Sequence, residues 1–130
     1  MIEAAQVKAR GMDIPMSITV IDESGHLKAF ARMDGTRLIT LGVAQDKAYS
    51  SACSGRATHE WYEFLKSDPV LDRGIAGIPR LMMVGGGYPI QPGEDVIGGI
   101  GVSGGHYNQD MACARAAWSC GSKMREGWKP

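Results

Sequence analysis

The chain is expected to be an α+β domain, with helices packed on a mainly antiparallel sheet of about five strands. Three observations predict it. Ser17–Ile21 and His26–Met33 are alternating, β-branched or apolar segments joined by the turn Asp22-Glu23-Ser24-Gly25, which is the pattern of a hairpin. Leu41, Ala44, Ala48 and Ala52 recur at helical spacing. Val96–Val102 then runs as a β-branched strand into paired glycines and the polar opening of a last helix.

Taken in order, the first helix is Ile2–Arg10, ended by Gly11, with Ala4, Ala5 and Ala9 as a small close-packing face. The hairpin comes next and stops at Met33-Asp34-Gly35-Thr36. The alanine stripe places a second helix at Ile39–Ser54. Thr58 can cap a third, Thr58–Lys66, with Ser67-Asp68-Pro69 as its terminator. Leu81–Val84 reads as a short strand, Gly85-Gly86-Gly87 as a loop and Tyr88-Pro89-Ile90 as an extended return. Asn108 or Ser103 can cap the last helix, Gln109–Ser122. No repeat, low-complexity tract or linker divides the 130 residues, so one domain spans 1–130.

Composition narrows the function classes. Lys+Arg and Asp+Glu balance at 14 each, so no bulk charge favours nucleic acid or a membrane surface. No run approaches the roughly 20 apolar residues of a membrane span, and the N-terminus lacks a signal-peptide pattern. A cytoplasmic location is the expectation, with near-zero net charge permitting self-association. Cys53, Cys113 and Cys120 have no zinc-type spacing and are expected to be buried, inert thiols.

Glycine, 18 of 130, clusters between Gly74 and Gly105 and calls for a motif test. Gly99-Ile100-Gly101-Val102-Ser103-Gly104 matches G-x-G-x-x-G, but a dinucleotide fold needs a further strand with an acidic residue about 20 positions on. The residues after Gly104 read instead as helix and tail. No Gly-Lys-Ser/Thr succeeds the glycines, so a phosphate loop fails as well. The run Val96–Asp110 still brings backbone N–H groups and a helix N-terminus to one point, where an anion could sit.

Three blocks of residues carry a family resemblance. The first is Pro15-Met16-Ser17-Ile18, Val20-Ile21-Asp22, Gly25-His26-Leu27 and Ala29-Phe30-Ala31-Arg32-Met33-Asp34-Gly35; Ala44 with Lys47-Ala48 is the second. Gly85-Gly86-Gly87-Tyr88-Pro89-Ile90, Ile97–Gly105 and Gln109-Asp110 with Cys113-Ala114 complete the set. Over nearly the whole chain this resembles the haem-degrading domain family of GlcG-like and HbpS-like proteins and the PduO C-terminal domain. The resemblance implies a profilin-like fold, an antiparallel five-stranded sheet with helices on both faces. It also implies a homo-oligomer and, for some members, bound haem; others accompany catabolic pathways. PduO-type domains use a histidine of the N-terminal helix, and Met1–Arg10 contains none, which leaves His26 or His106 as candidate axial ligands.

The candidate site residues divide by chemistry. His106 sits just after the double glycine at the helix mouth and could touch a ligand or transfer a proton, whereas His26 and His59 read as surface histidines. Lys47, on the flank of the apolar stripe, would ordinarily snorkel to solvent. The matching family block implies instead that it points into a pocket and meets a carboxylate. Arg32 forms either a salt bridge with Asp34 or a bidentate carboxylate clamp. Gly86, Gly87, Gly104 and Gly105 offer backbone amides, Ser103 is better read as a cap, and Asp110 either meets the helix dipole or orients a neighbour. Met82, Met83, Tyr88, Tyr107 and Trp118 are either core or the walls of a flat apolar slot. Trp61, Tyr62 and Phe64 place more aromatic surface on one helix than it can hide, which a subunit contact would explain.

These residues suit two functions. One is a binding protein for an anionic, partly apolar small molecule, haem being the named candidate. The alternative is a small cofactor-independent lyase or isomerase acting on a hydroxy, keto or aromatic acid, with His106 or Lys47 moving the proton and the glycine-turn amides stabilising an oxyanion. An oligomeric accessory protein with a vestigial pocket is a third reading.

Overall fold

A computed structural model describes residues 1–125. Helix α1 (Ile2–Gly11) leads into β1 (Ser17–Asp22) and β2 (Leu27–Arg32), then α2 (Ile39–Ser54). A 3-10 turn (Thr58–Glu60) runs into α3 (Trp61–Leu65) and α4 (Pro69–Ile75). The chain closes with β3 (Gly87–Ile90), β4 (Gly98–Ser103) and α5 (Tyr107–Arg125). The sheet is wholly antiparallel, in the order β2-β1-β4-β3. No described helix is long and apolar enough to cross a membrane.

The two sheet faces are built on different principles. Ile18, Ile100, Val102 and Tyr88 point to one face and pack against Ala5 and Ala9 of α1 and Cys113, Ala114 and Ala117 of α5. That is the apolar core. On the other face Ser17, Thr19 and Ile21 of β1 are buried, while the β3–β4 part carries few side chains because Gly87, Gly99 and Gly101 stand under α2. A Cβ on any of the three would strike a backbone carbonyl of α2, at Lys47, Ala48 and Ala44 respectively. The helix therefore lies directly on the sheet, and Ser17 joins it through a 2.8 Å bond to Thr40. All six residues of β4 are buried between these layers.

Several expectations need correction. The sheet has four strands, because Leu81–Val84 is not one of them. Its amides are drawn elsewhere: Met82 N–H donates to Ser50 Oγ at 2.7 Å, and Leu81 N–H to Ile78 O. Gly86, at φ +129°, then turns the chain before it enters β3. The third helix is a 3-10 turn followed by the five residues of α3. Asp68-Pro69 ends that segment but also starts α4, with Pro69 in the first turn and the Asp68 carboxylate accepting from Leu71 N–H at 3.0 Å. From residue 61 to residue 80 no position is buried, so this arm stands away from the core.

The last helix starts two residues earlier than expected, and neither Asn108 nor Ser103 caps it. His106 does: its Nδ1 accepts from Asn108 N–H at 3.2 Å, while Gln109 Oε1 accepts from His106 N–H at 2.9 Å. This is the reciprocal logic of a capping box with an imidazole in place of a hydroxyl. The cysteines are free, and of the three expected to be buried only Cys113 is; Cys120 is half-buried and Cys53, near the end of α2, is exposed. Burial, with the Asp110 charge nearby, pushes the Cys113 thiol up to about 11, so it is chemically quiet at neutral pH.

Candidate functional site

The Gly85-Gly86-Gly87 turn separates two environments, one sealed and one open. On the inner side Lys47 reaches from α2 with 1% of its surface exposed. Its ammonium donates to Asp110 Oδ2 at 2.8 Å and to Val102 O at 3.0 Å. Asp110 is itself 3% exposed, and its second oxygen accepts from Gly105 N–H at 2.9 Å. Burial pulls Lys47 below its ordinary value, with the Asp110 carboxylate pulling the opposite way.

Only glycine fits over this pair. A Cβ on Gly86 would lie 2.7 Å from Val102 O and 2.9 Å from Lys47 Nζ, and the φ of +129° disfavours any side chain. Gly86 O accepts from Val102 N–H, and Gly87 N–H donates to Thr58 Oγ1 at 2.9 Å. The glycine turn thus closes over the ion pair. The amide of Gly105, offered by the sequence as an anion contact, already holds the carboxylate of Asp110.

On the outer side lies a cleft of about 390 Å3. Met83 and Val84 form one wall, Met111 and Tyr107 of α5 another, with His59 and Tyr62 from the 3-10 turn and α3. A Cβ on Gly85 would come within 2.6 Å of Met111 Sδ and 3.3 Å of His59 Cβ, so its absence lets these walls approach. His59 is half-buried rather than on the surface, with its ring 5.6 Å from that of Tyr88. Its Nδ1 is buried without a hydrogen-bond partner, as is the Tyr88 hydroxyl. A buried donor left unpaired costs about 1–3 kcal/mol. The wall above this cleft is tied to α2 by Arg80, which reaches Asp46 at 3.3 Å and lies over the Tyr49 ring at 4.0 Å.

The remaining candidates are dispersed. Arg32 donates through Nε and Nη2 to Thr36 O, at 3.2 and 2.7 Å, and so fastens its own turn rather than Asp34. His26 is exposed on the β1–β2 turn, 3.6 Å from Asp22. That turn is at the Asp22–Gly98 end of the sheet, whereas Ser103 and the glycine turn are at the Ser17 end. His106 is exposed, and its ring lies tilted against that of Tyr107 with centroids 4.0 Å apart. Gly104 packs on Met16, and Gly87 beneath α2. Trp118 and Tyr88 border a second hollow of about 320 Å3, where Trp118 Nε1 donates to Pro89 O. Among the described residues no group of three His, Cys, Asp or Glu is placed to hold a metal ion.

His59 is the residue hardest to find from sequence. Its neighbours Thr58 and Glu60 suggest a polar helix start, and the covering Gly85 and Tyr88 lie more than 20 positions downstream.

Known proteins share this architecture. The chain is 30% identical over 125 residues to the uncharacterized 15.0 kDa protein of the dhaT–dhaS intergenic region of Citrobacter freundii, covering 95% of this chain and 88% of that protein. It is 33% identical over 102 residues to protein GlcG of Escherichia coli K12, covering 78% and 74%. Among solved structures, the PduOC:heme complex superposes with a TM-score of 0.80 at 29% identity, covering 90% of this chain and 86% of that one. HbpS superposes with a TM-score of 0.77 at 26% identity, covering 92% and 88%. The family described as "Haem degrading protein HbpS-like" matches residues 1–119, and the chain belongs to that family.

Proposed function

We propose that the protein binds a small, flat, partly apolar molecule carrying a carboxylate or carbonyl, with haem or a related tetrapyrrole as the candidate, in the cleft beside Gly85. One observation carries the reading: two methionines, two tyrosines and the His59 imidazole, whose Nδ1 is buried without a hydrogen-bond partner, line one hollow of about 390 Å3. Thioethers and aromatic rings adapt to a flat apolar surface, and a single polar group fixes its orientation. A relative of this fold solved as a haem complex supports the same class of ligand.

Met83, Met111 and Tyr107 would be the apolar contacts of a flat ring bound there. Haem would bring an iron centre, but the ring contacts belong to the protein. Neither His26 nor His106 lines the cleft; His26 lies on the far turn and the His106 Nδ1 is held in its cap. The lyase or isomerase alternative requires Lys47 or His106 against a substrate. Lys47 lies under Gly86 with its ammonium bonded to Asp110 and Val102, which favours binding over turnover.

In the same reading the chain is a cytoplasmic homo-oligomer. The projecting arm supports self-association, since Tyr62, Phe64 and Val70 are 67%, 49% and 85% exposed. The test is a haemin titration monitored at the Soret band, with native mass measured on the same sample. Wild type should saturate at one haem per subunit. Asn108→Trp, which adds bulk at the mouth without touching a side-chain bond, should bind roughly tenfold more weakly. A Soret change that never saturates, or one indifferent to Asn108→Trp, refutes this site.

A further inference from the structure

The cleft contains one side chain whose hydrogen-bonding state the fold dictates, and that state decides how a ligand is held. A neutral imidazole has one N–H and one bare nitrogen, and the environment of each nitrogen selects the arrangement. In His59 the Nδ1 is enclosed and has no acceptor. The neighbouring Tyr88 hydroxyl is itself buried and unpartnered, so these two groups do not satisfy one another. A proton on Nδ1 would be stranded, whereas a bare Nδ1 loses far less. The proton therefore belongs on Nε2, the nitrogen that remains for the cleft which His59 lines.

We propose that His59 is a hydrogen-bond donor, locked by the fold with its proton on Nε2, that recognises a carbonyl or carboxylate oxygen of the ligand and does not ligate iron. The assignment rests on the cleft being the ligand site. Iron ligation through Nε2 would move the proton to Nδ1, and histidines that bind metals almost always donate that second N–H to an acceptor. None is present here. The same rule distinguishes this position from a general metal site: Met83 and Met111 supply apolar walls, and His59 supplies one directional contact.

Two measurements test it. Long-range nitrogen–proton NMR of the histidine rings in the ligand-free protein reads the tautomer directly, with His59→Gln identifying the resonance. His106 is the internal standard, because its Nδ1 accepts from Asn108 N–H and so fixes the same tautomer. The Nε2–H form is expected at His59, and the Nδ1–H form overturns the proposal whatever binds. The second measurement compares haemin with iron-free protoporphyrin IX. Wild type should bind the two about equally, and His59→Ala should weaken both by roughly tenfold, the worth of one hydrogen bond to a charged group. His59→Gln keeps an amide donor and should restore most of that loss for both. Haemin binding much more tightly than protoporphyrin, with the difference gone in His59→Ala, would make His59 an iron ligand and overturn the proposal. If neither porphyrin binds while the Nε2–H form is seen, the tetrapyrrole reading fails and the tautomer assignment stands.

Discussion

Asp110→Asn should lower the stability of the folded chain by about 3–5 kcal/mol at neutral pH, measured by chemical denaturation. The substitution is nearly isosteric, and the amide oxygen can still accept from Gly105 N–H. What it removes is the charge 2.8 Å from Lys47, in a place where neither residue meets water. The ammonium must then stay charged beside one carbonyl, that of Val102, or give up its proton. Lys47→Met should cost a similar amount by stranding the carboxylate. The double variant Lys47→Met/Asp110→Asn removes both charges, so its loss should fall short of the summed single losses by about 2 kcal/mol. Simple additivity would mean that the two side chains are not coupled.

The pH dependence has a definite sign. Burial lowers Lys47 in the folded state and Asp110 partly restores it, so removing Asp110 lowers it further. Between that lowered value and the ordinary 10.5 the unfolded chain holds one more proton than the folded chain. Stability then rises with pH across this window. The window opens at lower pH in Asp110→Asn than in wild type, so the gap between them should narrow from pH 7 toward pH 10. A gap that widens with pH would rule out Lys47 as the group under strain.

Local signals account for the elements that are legible in the sequence. The alanine stripe and Gly55, at φ +71°, define α2 because both the buried face and the left-handed stop are encoded within the helix. The hairpin is equally local: Asp22 Oδ1 accepts from Ser24 and His26 amides at 2.9 Å, and the turn is complete without help from the core. Leu81–Val84 misleads because its apolar run is the same whether the amides meet a strand or the hydroxyl of Ser50, some 30 positions away. Asp68-Pro69 carries a start signal as well as a stop, and the stop alone does not reveal α4. Family resemblance supplies the burial of Lys47 that its local sequence argues against. The cleft is beyond either route, since it arises where the 3-10 turn, the glycine turn and α5 meet.

The glycine-rich motif gives the sharpest separation between a packing role and a ligand role. Gly101→Ala should cost about 3 kcal/mol or more, at the upper end for added volume in a packed interior. The new Cβ would lie 2.5 Å from Ala48 N and closer still to Ala44 O. Both are backbone atoms of α2, so no rotamer change relieves the clash and the helix must lift from the sheet. Lys47 lies between those two residues in α2, and lifting the helix also pulls its ammonium from Asp110. Gly42→Ala is the matched control: it lies exposed in the same helix with nothing within 4 Å of the added Cβ. There the ordinary helix preference for alanine should stabilise the chain by about 0.8 kcal/mol. One chemical change thus has opposite signs at two positions because of the space around each. If Gly101 served mainly to admit a ligand's phosphate to the backbone, alanine there would weaken binding and leave the denaturation midpoint near wild type. A shift at Gly101 smaller than about 0.5 kcal/mol, the size expected of a neutral surface change, would therefore overturn the packing account of the motif.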